Sequence, residues 1–186
     1  MALISGQNLN SLADEFPGVT ALTMSRTVAV ATGAAPTSGT LYARVIALPP
    51  GLTVNNLDYW QLTVATTPAH QWMCLMTPGG IVVAVTADNT AGQANATYYR
   101  APVTVPFTTP PGAPSQWYIG LMLAAATTTA VAGGVAPANV GAGVPAGTVT
   151  AFATAGSGLT TPPALGAQQV LLPVAGTSAN IYAATA

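Results

Sequence analysis

Lysine is absent from this chain, and only seven residues carry a formal charge: Arg26, Arg44, Arg100, Asp14, Glu15, Asp58 and Asp88. That is 4% of 186 residues, where an ordinary soluble domain has about 25%. With no basic patch to neutralise phosphates, a nucleic-acid partner is not expected. Net charge away from zero is what keeps free proteins apart. So neutral a chain therefore implies either that partners cover much of its surface or that Thr, Ser and Asn hydrate it without charge.

Cys74 is the only cysteine, which excludes an intramolecular disulfide and a thiolate metal framework. In its apolar strand it reads as a small core residue. His70 is the only histidine. The scarcity of His, Cys and carboxylates leaves no metal-ligand cluster, and no cofactor is implied. Hydrolytic chemistry needs a nucleophile with a base, a positioned carboxylate pair, or a metal. His70 and Cys74 are four residues apart, which on a strand puts them on one face but ~13 Å from each other, too far for a hydrogen-bonded dyad. Asp58 and Asp88 could act together only if the fold paired them, and Asp58 reads as a strand-edge or turn residue. No catalytic residue is assigned, and an enzyme is not expected.

Long apolar runs are also missing. Hydropathy peaks over residues 117 to 126, but Thr127-Thr128-Thr129 and Gly133-Gly134 interrupt it, short of the ~18 to 20 apolar residues of a membrane span. The first residues lack a basic stretch leading into an apolar run, so no signal peptide is indicated. Helix signals are confined to residues 10 to 16, where Ser11 caps a short turn with Asp14 three residues on and Pro17-Gly18 ends it.

What is present is β patterning. Residues 40 to 48 and 58 to 64 alternate as strands across a Pro49-Pro50-Gly51 turn, and residues 68 to 76 continue as a third. Ile81 to Val85 is a continuous apolar run suited to a central strand. Residues 97 to 107 place Tyr99, Ala101, Val103, Val105 and Phe107 on one face, while Pro102 and Pro106 confine that strand to an edge or bulge. Trp117, Ile119, Leu121 and Leu123 mark the clearest inward face. Shorter strands are expected at 148 to 153, 169 to 175 and 180 to 184, and residues 124 to 147 are Ala/Gly/Thr-rich without a period. These features predict an all-β antiparallel sandwich over residues 37 to 186.

Residues 1 to 36 differ in character and end in the Gly33-Ala34-Ala35-Pro36 hinge. They read as an anchoring arm or an added strand, with Leu12, Phe16, Met24 and Val28 as candidate anchoring residues. Tyr42, Tyr59 and Tyr118 fall on the parity opposite the apolar faces of their strands. They are therefore candidates for surface or glycan contact, or for packing at an interface. Trp60 and Trp117 fall on the inward parity.

The set Thr37-Ser38-Gly39-Thr40-Leu41-Tyr42, Arg44-Val45, Gly51-Leu52-Thr53-Val54-Asn55-Asn56-Leu57 and Thr67-Pro68-Ala69-His70-Gln71-Trp72 resembles a known family. With Phe107-Thr108, residues 116 to 122 and residues 158 to 182, it is similar to the small β jelly-roll domains of tailed bacteriophages of actinobacteria, the minor tail or tail-tip proteins. The resemblance implies a jelly roll, a structural role in the virion after synthesis in the host cytoplasm, and no catalytic residues to transfer. A homo-oligomer, with a trimer favoured, is expected from the resemblance and the uncharged surface. Its partners are then other virion proteins and, at the tip, a host cell-surface glycan. Two other readings stay open: a head decoration protein bound over capsomers, and a carbohydrate-binding module.

Overall fold

β-branched and aromatic residues at a period of two favour extended chain, and the computed structural model is built of strands. It describes residues 21–22, 29–30, 36–60, 63–90, 98–113, 116–127, 133–134, 152–173 and 183–185. In chain order the strands are β1 (Ala21–Leu22), β2 (Ala29–Val30), β3 (Thr40–Ala47), β4 (Thr53–Trp60), β5 (Thr66–Met76) and β6 (Val82–Val85). They continue as β7 (Tyr98–Thr108), β8 (Gln116–Thr127), β9 (Gly133–Gly134), β10 (Phe152–Ala155), β11 (Leu172–Pro173) and β12 (Ala183–Thr185). One sheet has the order β1-β12-β4-β7, a second β11-β10-β3-β8-β5-β6, and β2 pairs with β9. All strand pairs are antiparallel. The described residues are thus an all-β, sandwich-like fold, and they hold no helix long and apolar enough to cross a membrane.

The second strand starts five residues before the alternation predicts, because a clamp defines the preceding turn. Gly51 takes φ +77, and the Thr109 hydroxyl donates to Pro49 O at 2.7 Å while accepting from Leu52 N at 2.9 Å. Thr109 N in turn donates to Leu52 O at 2.9 Å. Extended pairing therefore begins at Thr53, and between Val54 and Asn56 the register with β7 shifts by three residues. The short helical turn expected over residues 10 to 16 and the candidate anchoring residues Leu12, Phe16, Met24 and Val28 lie outside the described residues. Ala21 and Leu22, inside the expected arm, pair with Thr185 and Ala184 as an edge strand.

Two apolar cores flank the larger sheet. Between the sheets lie Tyr42, Ile46, Leu57, Tyr59, Met73, Leu75, Ile119 and Leu121 with their neighbours. On the other face of the same sheet, Leu41, Ala43, Trp72, Cys74, Met76, Tyr118 and Met122 form a second core, with Leu159 and Leu171 packed on it. The cover comes from the stretch between β10 and β11. Val82 N donates to Ala167 O at 3.0 Å, and Gly166 N donates to Val82 O at 2.8 Å. Ile81 bridges Gln168, and β11 then pairs with β10 at the opposite end of the sheet. Residues 166 to 173 therefore run from one edge of the sheet to the other. β6, expected to be central, is the last strand of its sheet, and this stretch occupies its edge.

Gly80 and Gly120 make this arrangement possible. At φ +85, Gly80 brings its backbone against Gln169 O, where a Cβ has no room. Gly120 faces the second core, where a Cβ would meet Cys74 Sγ and Leu41 Cδ1 at 2.9 Å. The two sheets join at Thr86. Its amide donates to Met73 O at 2.9 Å and its buried hydroxyl accepts from Met73 N at 3.0 Å. Thr86 also bridges Val103 of β7.

Candidate functional site

The three tyrosines proposed for surface contact lie inside the fold. Tyr42 is 8% exposed, Tyr59 0% and Tyr118 2%, which corrects the expectation of outward rings. For Tyr42 and Tyr118 the parity was read correctly, since Tyr42 and Leu41 face opposite ways, whereas Tyr59 of β4 shares the inward face with Leu57. Both faces of the larger sheet are covered, however, so neither parity leads to solvent. Tyr42 accepts a hydrogen bond from Thr37 N at 3.1 Å. Tyr59 meets Tyr99 edge-on at 5.6 Å between centroids, and burial raises the pKa of both phenols. Trp117 is buried, as expected, edge-on to Phe107 at 5.4 Å. The side chain of Trp60 lies outside the described residues.

The charged groups are spread through the scaffold as cross-strand contacts. Asp58 sits within β4, not at a turn, and is fully buried. It stands in register opposite Arg100 of β7, whose Nε and Nη2 donate to its carboxylate at 3.1 Å each. Such a fork on a carboxylate is geometrically specific. Asp88 receives His70 Nδ1 at 2.6 Å and Gln71 N at 2.9 Å, while Asn89 N donates to Gln71 O. His70 and Asp88 thus fasten the loop after β6 along β5, with about a third of each side chain exposed. The two aspartates have different partners and form no carboxylate pair for acid–base work. Among the described residues no three His, Cys, Asp or Glu side chains group to hold a metal.

Cys74 is fully buried, and burial pushes its thiol from 9.0 up to about 12. A rise of that size cuts the thiolate fraction about a thousandfold at neutral pH. The folded protein is expected to resist alkylation by iodoacetamide at pH 7.5 and to be modified promptly in denaturant, as intact mass will show. The fold holds the neutral thiol. Its contribution to stability is therefore intact below pH 9 and is lost as pH rises toward 12, where the folded thiol also ionises.

Several large apolar side chains are exposed among the described residues, Val64 and Val105 among them. Val170 is 70% exposed, Leu172 58% and Ile81 43%. Residues 168, 170 and 172 share a parity while Leu171 turns into the second core. Because Ile81 pairs directly with Gln168, these side chains form one outward strip along the stretch that closes the larger sheet. Leu165, 45% exposed, lies in the turn that begins it. No charged residue occurs from 101 to 186, so the strip carries no ionic rim of its own from that stretch. Sequence reasoning placed a strand at 169 to 175 but missed that its alternate residues face solvent. The Val170-Leu171-Leu172 run held that signal only in combination with knowledge of which face is covered. Comparison with known proteins finds no match among family profiles, curated proteins or solved structures.

Proposed function

We propose that this chain is a non-enzymatic structural protein of a tailed-phage virion, of minor tail or tail-tip type, whose sandwich is a jelly roll and assembles as a homotrimer. The observation that carries the assembly reading is the uncharged outward strip of Ile81, Val170 and Leu172. Large apolar side chains grouped on a surface mark protein contacts. The lack of nearby charge favours association over free solution. The structural use of His70, Asp58 and Asp88 supports a scaffold role. The family resemblance over residues 37 to 186 supplies the virion.

The expected mass by mass photometry is three times the chain mass of 18.4 kDa. The Val170→Asp/Leu172→Asp variant is expected to run as a monomer with its β circular dichroism unchanged. A wild-type protein that stays monomeric at micromolar concentration overturns the assembly reading. For the virion, mass spectrometry of purified particles from a phage encoding the chain is expected to find it, and its absence from particles rejects that part.

A further inference from the structure

The second core is closed by a stretch of chain that is itself hardly buried. After β10, Leu159 N donates to Gly39 O at 2.9 Å, and the chain crosses to the β6 edge. There Gly166 and Ala167 bond Val82, and Gln169 N donates to Gly80 O at 2.8 Å. The chain then returns to β10 as β11. Between the first two holds, residues 160 to 165, with Pro162 and Pro163, make no hydrogen bond to the described residues of the sheet. No side chain from 156 to 172 is fully buried, yet Trp72, Cys74, Met76 and Met122 beneath are at most 1% exposed. Gly158 at φ +66 and Gly166 at φ +80 stand at the two ends of the crossing, where an added Cβ would meet nothing. The backbone turn, not close packing, therefore selects glycine there, as at a hinge. A segment with few buried contacts of its own opens before the whole fold does.

The outward strip depends on this stretch. Ile81 belongs to the sheet, whereas Val170 and Leu172 belong to the covering chain, and the Ile81–Gln168 bridge brings them together. A partner on the strip therefore binds only the seated form. By mass action it suppresses opening, about a hundredfold when present at a hundred times its dissociation constant. A second copy has the matching chemistry. The covering chain carries no charge, and the described pairs of Asp58 with Arg100 and Asp88 with His70 are satisfied within one chain.

We infer that residues 156 to 172 are a hinged strap over the second core, which opens in the free chain while the sandwich stays folded and is held shut when a second copy covers Ile81, Val170 and Leu172. The inference rests on the assembly reading above and adds what assembly controls, which is access to the face that holds Cys74 and Trp72.

Alkylation of Cys74 by iodoacetamide at pH 7.5, followed by intact mass, tests it on the full chain, with light scattering reporting the assembly state at each concentration. The wild-type rate is expected to rise roughly tenfold or more on dilution from assembled to monomeric protein. In the diluted protein it is expected to change little below the urea concentration at which circular dichroism reports unfolding. Ile81→Asp alters the sheet side of the strip and leaves the strap's own residues intact. It is expected to be monomeric and to react at the diluted wild-type rate at every concentration, and the dilution result stands without it if the variant does not fold. A protein that assembles but alkylates at one rate across the dilution overturns the inference and leaves the assembly reading standing. A diluted protein whose rate climbs with urea as steeply as global unfolding also overturns it, because Cys74 is then reached only through the unfolded chain. A wild type that is monomeric throughout ends both readings.

Discussion

Replacing Arg100 with methionine is expected to destabilise the protein by about 3–5 kcal/mol, the usual cost of leaving one member of a buried ion pair without its partner. Asp58 is completely buried, whereas the Arg100 side chain is 35% exposed, so the variant strands the deeper charge. Methionine preserves most of the arginine stem, which keeps lost packing from dominating the result. Urea unfolding followed by circular dichroism measures the loss. Asp58→Leu combined with Arg100→Met is expected to recover most of it, since replacing both partners by apolar groups removes the desolvation cost on each side. If Arg100→Met costs less than about 1 kcal/mol, the pair behaves as an exposed ion pair does, and Asp58 in solution is not buried as it is in the structure.

Trp72→Ala is expected to cost a similar 3–5 kcal/mol, as large-to-small changes at buried aromatics do. Trp72 is 1% exposed and belongs to the second core, on the face of the larger sheet that looks away from the smaller one. Its indole Nε1 has no hydrogen-bond partner among the described residues. Trp72→Phe therefore keeps most of the buried ring while removing an unsatisfied donor, and its cost is expected to be well below that of alanine. Equilibrium unfolding of both variants separates the two terms. A loss below about 1 kcal/mol for Trp72→Ala means that the 156–171 stretch leaves this face open to water. In that case the closure of the sheet by residues 166 to 173 is wrong.

These two sites show where the sequence was legible and where it was not. The period of two at Trp117, Ile119, Leu121 and Leu123 identified an inward face, and the structure buries all four. The Pro49-Pro50-Gly51 turn and the prolines of β7 likewise marked a turn and an edge correctly, whereas the apolar run at Ile81 to Val85 marked a strand but not its place, since β6 is the last strand of its sheet. Such local signals act over a few residues through backbone geometry, and one chain is enough to read them. Assigning Tyr42 and Tyr118 to the surface failed because it took each strand to have one dry face and one wet face, and assigning Tyr59 failed because it lies on the inward face of β4 with Leu57. Only the path of residues 156 to 173, which covers the far face of the larger sheet, decides that Tyr118 and Trp72 are interior.

The ion pairs follow the same division. Composition alone established that charges are few and that lysine is absent, because those are sums over residues. Which charges meet depends on register between strands distant in sequence, and an irregularity such as the one at Val54 and Asn56 shifts that register by three residues. Asp58 faces Arg100 across 42 positions and Asp88 faces His70 across 18. The sequence by itself therefore determined an all-β chain, short of charge and of reactive groups. The tertiary structure decided which faces are dry, which carboxylates are paired, and that Val170 and Leu172 stand in solvent, because burial and pairing are properties of the assembled sheets and not of any one strand.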